Sequence, residues 1–314
     1  MDCIAEILRK HPFAVLDGSS ATELERLGCD LKDSLWSARA LYEQPDLVRE
    51  MHRRYLAAGA DIVESDGYQA TVPGFMEKGF TRKEAEDLLR LSVRLVKEAC
   101  AACGRKGPPG PVSAAAVGPY GAHRADGSEY NGRYDASPAE VEAFHREQLQ
   151  IIAEEEPDLF AFETIPLLSE AEALCRVLSD IQGASGWVSF SCRDGQYTCG
   201  GDDIGHCAAF LDQVPQIAAI GVNCIDPAYG ESLICRIRER TEKPIVIYPN
   251  SGETYDPAEK CWHGTASDFC HLARVWYERG ARIIGGCCRT GPEEIRAVAA
   301  VRQSIEEKGW MPRS

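Results

Sequence analysis

The stretch Ala-Arg-Ile-Ile-Gly-Gly-Cys-Cys-Arg-Thr, residues 281–290, carries the pattern on which the chain is built. It follows a helical segment, Ser267–Arg279, and a glycine, Gly280, of the kind that ends helices. An apolar run that closes on two glycines predicts a buried strand ending in a tight turn. The stretch therefore predicts a helix followed by a strand, with two cysteines at the carboxyl end of the strand.

The same unit recurs along the whole sequence. Eight apolar runs alternate with helical segments such as Pro45–Ala58, Pro138–Glu154, Ser169–Leu178 and Asp226–Arg240. The runs are Phe13–Asp17, Asp61–Ser65, Val112–Val117, Asp158–Glu163, Gly186–Cys192, Ile217–Asn223, Pro244–Tyr248 and Ala281–Gly285. Strands alternating with helices predict a parallel sheet, and eight strands close a (β/α)8 barrel. An open doubly wound sheet is the alternative, but residues 17–22 lack its usual Gly-x-Gly-x-x-Gly turn. We predict an α/β fold, a single (β/α)8 TIM barrel domain spanning residues 1–314.

Bulk properties exclude some partners. The formal net charge of −15 argues against nucleic acid or an anionic membrane as the main partner. No secretory signal and no apolar run long enough to span a membrane is visible in the sequence. Fourteen cysteines in such a chain indicate reduced thiols. We therefore expect a cytoplasmic protein acting on small molecules, and the sequence leaves its oligomeric state open.

Polar residues gather at the carboxyl ends of the predicted strands. They are Asp17, Ser65, Asp66, Glu163, Thr164, Asn223, Cys224, Cys287 and Cys288, together with residues 118–120 and 248–251. In a (β/α)8 barrel these strand ends share one face, where active sites are built. The sequence thus predicts a single pocket assembled from residues spread over the whole chain.

Three of these residues are cysteines. Cys224 ends the segment Ile-Gly-Val-Asn-Cys, residues 220–224, and Cys287 and Cys288 follow the glycine turn. Neighbouring cysteines do not easily form a disulfide with each other, because its geometry needs a suitable separation and orientation. Three thiols on two strand ends can instead bind one zinc ion and leave its fourth position open. Taken singly, each cysteine is better explained as a buried core residue; the two motifs together favour the metal.

Several motifs resemble the homocysteine S-methyltransferase family of zinc-dependent barrels. They are Leu-Asp-Gly at 16–18, Gly-Val-Asn-Cys at 221–224 and Gly-Gly-Cys-Cys-Arg-Thr at 285–290, with further similarity at 33–38, 117–121, 126–130 and 248–253. The resemblance covers nearly the whole chain. It points to the short, single-domain branch, which uses S-methylmethionine or S-adenosylmethionine as methyl donor rather than betaine or folate.

The resemblance also implies roles for individual residues. Cys224, Cys287 and Cys288 would be the ligands of Zn²⁺, and Asp17, Gly18, Ser65, Glu163 and Asn223 would bind the substrate. Of these, Asp17, Gly18 and Glu163 would hold the amino group and backbone of homocysteine, and Ser65 its carboxylate end. The family often has Thr-Asn-Ser-Tyr-Gln after the second strand, whereas this chain has Ser-Asp-Gly-Tyr-Gln at 65–69.

Two of these residues also admit simpler roles. Asp17 is placed to cap the helix that starts near Ala21. Glu163 would be a surface acid if the run before it were not a buried strand. The long glycine- and tyrosine-rich segment Tyr120–Tyr134 is typical of a functional lid, and equally of an irregular surface loop.

The expected chemistry explains why thiolate ligands suit the reaction. A thiol accepts a methyl group only as its thiolate, and coordination to zinc removes the thiol proton. Three cysteine thiolates and a substrate thiolate on Zn²⁺ carry a formal charge of −2, which attracts a cationic sulfonium donor. Together with this chemistry, the resemblance implies methyl transfer to the thiolate of L-homocysteine, giving methionine. The alternatives are a selenocysteine or selenohomocysteine methyltransferase, since selenolates also bind zinc, and a non-enzymatic zinc–thiolate sensor or storage protein.

Overall fold

Parallel strands and helices alternate along the residues that this computed structural model describes, which are 3–105, 110–256, 261–263 and 266–310. The strands are β1 Ala14–Val15, β2 Ile62–Glu64, β3 Val112–Val117, β4 Leu159–Ile165, β5 Gly186–Phe190, β6 Ile217–Asn223, β7 Ile245–Tyr248, β8 Thr254–Asp256, β9 Cys261–His263 and β10 Ala281–Ile284. The α-helices are α1 Cys3–Lys10, α2 Ser20–Arg26, α3 Ala40–Glu43, α4 Pro45–Ala58, α5 Val72–Glu77, α6 Arg82–Ala102, α7 Tyr120–Arg124, α8 Pro138–Ala153, α9 Leu168–Ser179, α10 Ile204–Asp212, α11 Gly230–Arg238, α12 Phe269–Arg279 and α13 Pro292–Glu307.

Eight of the strands form one sheet, in the order β1-β10-β7-β6-β5-β4-β3-β2. Every pairing in this sheet is parallel. A parallel bridge between Leu16 and Ile62 joins the two edges, and the backbone N–H of Asp17 donates to the Ile62 carbonyl at 3.2 Å. The predicted (β/α)8 barrel is therefore confirmed as a single, nearly closed barrel; its extent over residues 1–314 stays a prediction.

The barrel interior is filled by side chains that alternate along the strands. The inward cluster consists of Ala14, Leu16, Ile62, Val112, Ala114, Leu159, Ala161, Trp187, Ala219, Val246, Tyr248 and Ile283, with Ile4 and Ile7 of α1. Alternation follows from the two-residue period of a strand. Helix α1, which the sequence analysis did not predict, thus covers one end of the interior. The opposite, carboxyl end of the strands remains for a pocket.

The helices pack their apolar faces on the outside of the sheet. Helix α4 begins at a proline and is followed by the capping residue Gly59, whose φ of +110° a side chain would strain. The predicted helix Asp226–Arg240 is divided in the structure. Asp226 caps a short 3-10 turn, Pro227–Tyr229, and α11 follows it.

The loop after β7 contains a feature that the sequence analysis missed. Strands β8 and β9 pair as a two-stranded antiparallel hairpin between β7 and α12.

Among the residues described, no helix is long and apolar enough to cross a membrane.

Candidate metal centre and substrate pocket

Two strand ends bring the three predicted cysteines together. Cys224 follows β6 directly and has a positive φ of 50°, a conformation that non-glycine residues seldom adopt. Its backbone N–H donates to the Tyr248 carbonyl at 3.2 Å, and that of Cys287 donates to the Pro249 carbonyl at 2.7 Å. Both cysteine backbones are thereby tied to the end of β7, which fixes where their sulfur atoms lie.

The turn after β10 requires glycine. A Cβ atom on Gly286 would lie 2.4 Å from the Thr290 hydroxyl oxygen, closer than atoms can approach. That hydroxyl donates to the Cys287 carbonyl at 2.6 Å, so it holds the turn shut. The glycine thus allows the adjacent cysteines to turn into the pocket.

The three sulfur atoms have the spacing of a metal site. All three lie within 4.8 Å of one another, and the Sγ atoms of Cys224 and Cys288 are 3.6 Å apart. Tetrahedral zinc with Zn–S bonds of about 2.3 Å needs sulfur atoms about 3.8 Å apart. The arrangement therefore fits a metal ion with three cysteine ligands and a fourth position open.

Hydrogen bonds among the three cysteines also shift their pKa values. Hydrogen bonds from the Cys287 and Cys288 thiols hold the pKa of Cys224 well below its usual value, despite its burial. The same bonds raise the pKa of Cys287 and Cys288, since each is then a donor to a thiolate. The Tyr130 hydroxyl, 3.3 Å from the Cys224 sulfur, adds a further hydrogen bond.

A pocket that opens to solvent surrounds the cysteines. Its lining comprises Gly18, Ser19, Ser20, Ala21, Trp36, Ser37, Glu64, Ser65, Asp66, Tyr68, Tyr130, Glu163, Thr164, Cys224, Tyr248, Gly286, Cys287 and Cys288. The predicted residues Gly18, Ser65 and Glu163 thus share one pocket with the three cysteines. Asp17 and Asn223 lie behind this lining.

The two residues behind the lining make specific contacts. Asp17 accepts a hydrogen bond from the backbone N–H of Glu64 at 3.0 Å, so it links the ends of β1 and β2. The Asn223 side chain accepts from the Thr164 N–H at 2.6 Å and donates to the Thr164 hydroxyl at 2.8 Å. These contacts hold the end of β4, the strand that carries Glu163. The predicted substrate contact of Asn223 stays a prediction.

Ser65 is held in a similar way. Its hydroxyl oxygen accepts a hydrogen bond from the backbone N–H of Ala116 at 3.0 Å. The hydroxyl proton remains for another acceptor, because a serine oxygen both donates and accepts. The predicted contact with a substrate carboxylate is therefore chemically open to this residue.

Buried carboxylates dominate the electrostatics of the cavity. Burial, with Asp17 and Cys224 nearby, raises the pKa of Glu163 to about 8. Burial, then Glu163 and Asp17, raises the pKa of Glu64 well above its usual value, and burial raises that of Asp66 to about 6. Among the described residues that line the cavity, none is Lys, Arg or His. The described lining of the pocket is therefore acidic, with no basic side chain to balance it.

Sequence reasoning missed Glu64 as a site residue. It lies inside an apolar run, two positions after Ile62, whose side chain packs in the barrel interior. The two-residue period of a strand places both side chains on the same face. This alternation in the sequence could have identified Glu64 as a residue of the pocket.

Aromatic side chains form another part of the cavity wall. Trp36 has a positive φ of 47°, and its ring meets the Tyr68 ring edge-on at 6.4 Å. Tyr130 is 48% exposed as a residue, with its hydroxyl turned inward to Cys224. Sequence reasoning marked the segments 33–38, 65–69 and 126–130 that carry these rings but did not single out the rings themselves, since they come from three different loops.

The loop Tyr120–Tyr134 is anchored by one buried acid, Glu170. The backbone N–H of Tyr120 donates to one of its carboxylate oxygens at 2.7 Å, and the Tyr134 hydroxyl to the other at 2.7 Å. The ring of His145 hydrogen-bonds the same group at 2.8 Å. These bonds fix the loop that carries Tyr130, and this loop contributes Tyr130 to the cavity lining.

The sequence model of the family described as homocysteine S-methyltransferase matches residues 14–302. The chain belongs to this family. A homocysteine S-methyltransferase of Bacillus subtilis, YbgG, is 46% identical, and the alignment covers 98% of this chain and 99% of that protein. A selenocysteine Se-methyltransferase of Brassica oleracea is 43% identical over 91% of this chain and 88% of its own.

Solved structures agree with this assignment. The homocysteine methyltransferase MmuM of Escherichia coli is 38% identical; its metallated form has a TM-score of 0.85 over 94% of this chain and 98% of its own. Its oxidized form has a TM-score of 0.86 over 96% of this chain and 99% of its own. Membership of the homocysteine S-methyltransferase family confirms the predicted enzyme class and a small-molecule substrate.

Proposed function

We propose that the protein transfers a methyl group from a sulfonium donor, S-methylmethionine or S-adenosylmethionine, to the thiolate of L-homocysteine. The observation that carries the proposal is the set of three cysteine sulfur atoms within 4.8 Å of one another, in a cavity rich in carboxylates. Cys224, Cys287 and Cys288 are the proposed ligands of Zn²⁺. When bound there, the zinc ion would hold the acceptor sulfur as a thiolate at neutral pH.

The pocket suits the rest of homocysteine as well. With its sulfur at the cysteines, its ammonium group would reach Glu163, whose carboxylate is buried near Asp17. The ammonium group favours the ionised form of that carboxylate, because an opposite charge stabilises it. Gly18 and Ser65 are proposed to contact the backbone and carboxylate end. Glu163 thus orients the acceptor so that its sulfur faces the donor.

The donor is proposed to approach along the aromatic wall. Trp36, Tyr68 and Tyr130 offer ring faces and edges beside the cysteines, and aromatic rings attract cations. In the reaction, the acceptor sulfur forms a bond to the methyl carbon while the donor's carbon–sulfur bond breaks. The electron pair returns to the donor sulfur, which leaves as a neutral thioether and needs no proton.

The donor order follows from the same chemistry. S-methylmethionine is proposed to be used more efficiently than S-adenosylmethionine. Betaine is proposed to be inactive, because a neutral amine is a poorer leaving group than a thioether. Mass spectrometry of the product, with homocysteine and each donor offered separately, tests the proposal. Absence of methionine with both sulfonium donors contradicts it, and betaine turnover comparable to theirs contradicts the choice of donor class.

A second acceptor deserves testing because one of the relatives described above is a selenocysteine Se-methyltransferase. Selenolates bind zinc as thiolates do. Selenocysteine is one methylene shorter than homocysteine, so its ammonium group would lie closer to the cysteines and farther from Glu163. We expect homocysteine to be preferred when both acceptors compete for one donor. A cytoplasmic location remains part of the proposal.

A further inference from the structure

The end of β2 places a carboxylate, Glu64, where the resemblance assigns no role. Glu64 is 8% exposed and lines the same cavity as Glu163. Its Oε1 atom is buried and has no hydrogen-bond partner among the described residues. A buried carboxylate oxygen without a partner is costly, unless a ligand supplies the missing donor.

The groups that face Glu64 come from three other strands. Asp17, after β1, accepts a hydrogen bond from its backbone N–H; Glu163 faces it from β4 and Tyr248 from β7. Among the residues that the structure describes, Tyr248 is the hydrogen-bond donor to the Glu64 carboxylate. The Tyr248 hydroxyl is itself held by the Trp187 indole N–H at 3.2 Å and by Ser189. Glu64 is thus held in the cavity lining, facing two other acidic residues.

We propose that Glu64 is a second carboxylate contact for the ammonium group of the acceptor, which binds between Glu64 and Glu163. Two carboxylates that face each other in a buried site cannot both ionise easily, so together they retain a proton while the site is empty. An ammonium group supplies the missing positive charge and hydrogen-bond donors, and it displaces that proton. Glu64 therefore makes the site selective for acceptors that carry an amino group.

The inference rests on the proposed function for the orientation of the acceptor. The test compares homocysteine with 4-mercaptobutanoate, which has the same thiol and carboxylate but no amino group. In the Glu64→Gln variant, the preference for homocysteine over 4-mercaptobutanoate should fall roughly tenfold to a hundredfold, the weight of a charged hydrogen bond. The affinity for 4-mercaptobutanoate should not fall. Equal losses for both acceptors, or no loss for either, would overturn the proposal.

A binding measurement separates this inference from the methyl transfer. L-2-aminobutyrate has the amino and carboxylate groups of homocysteine but no thiol, so protons released on its binding do not come from a thiol. Titration calorimetry in buffers of different ionisation enthalpy should show proton release with the zinc-loaded wild type and less release with Glu64→Gln. Unchanged release in the variant would contradict the proposal, even if methionine is formed.

A shorter acid provides a second variant if Glu64→Gln does not fold. Glu64→Asp keeps the charge and withdraws it by one methylene. It should retain part of the preference for homocysteine over 4-mercaptobutanoate. Complete retention of the wild-type preference in Glu64→Gln would refute a contact through charge. Complete loss of that preference in Glu64→Asp would refute it as well.

Discussion

Replacing Glu163 by glutamine removes the charge that is proposed to hold the ammonium group of homocysteine. The residue is 9% exposed and lies in a cavity with no cationic lining among the described residues, so little solvent screens its contact. A hydrogen bond to a charged group contributes about 1.5–3 kcal/mol, which corresponds to roughly a tenfold to hundredfold change in affinity. We therefore expect Glu163→Gln to raise the KM for homocysteine by that factor, with the KM for the donor unchanged.

Initial rates at varied homocysteine and saturating S-methylmethionine provide the assay, and zinc content is measured on the same samples. Asp61→Asn is a control, because Asp61 is also a buried acid, 7% exposed, but lies before the amino end of β2 and does not line the cavity. It should leave the KM for homocysteine unchanged. The reasoning is refuted if Glu163→Gln retains the wild-type KM, or if it loses zinc in proportion to activity.

Three further predictions concern stability, the donor and the pocket wall. Because burial raises the pKa of Glu163 from its ordinary value of 4.5 to about 8, the folded state keeps a proton that the unfolded chain loses, and the free energy of unfolding should fall as pH rises between these values. Urea unfolding of the metal-free protein at several pH values should show a shallower decline for Glu163→Gln than for the wild type. An equal decline in both proteins would contradict this prediction. With the three donors at equal concentration, S-methylmethionine should yield more methionine than S-adenosylmethionine, and betaine none; the reverse order for the two sulfonium donors would overturn the proposed preference. Trp36→Leu should raise the KM of the sulfonium donor by roughly twofold to thirtyfold, the range of a cation–π contact, and spare that of homocysteine; a rise confined to homocysteine would exclude Trp36 from the donor side.

The repeating part of the fold was predictable because it follows from local pattern. Strand β3, Val112–Val117, and helix α4, Pro45–Ala58, have the predicted bounds, since an uninterrupted apolar run and a proline-to-glycine helical segment each have one favourable structure. Helix α1 was missed because its two buried isoleucines acquire their role only when the barrel end exists to receive them.

The cysteine part of the site was predictable because its residues stand at the ends of strand patterns that are visible in the sequence. Cys287 and Cys288 stand side by side, and Cys224 closes a strand run, so their convergence followed from the barrel. The environment of Glu64 depends on groups from three other strands, which no local pattern reveals. Likewise, the bonds of Asn223 to Thr164 join residues 59 positions apart.

The central claim is that Cys224, Cys287 and Cys288 hold the zinc ion on which methyl transfer depends. The most direct test measures zinc per chain and methionine formation in the reduced wild type and in Cys287→Ala. The wild type should carry about one zinc, as a three-ligand catalytic site does. Cys287→Ala should lose most of both zinc and activity, while its circular dichroism spectrum still indicates a folded barrel. Full zinc content and full turnover in Cys287→Ala would contradict the claim.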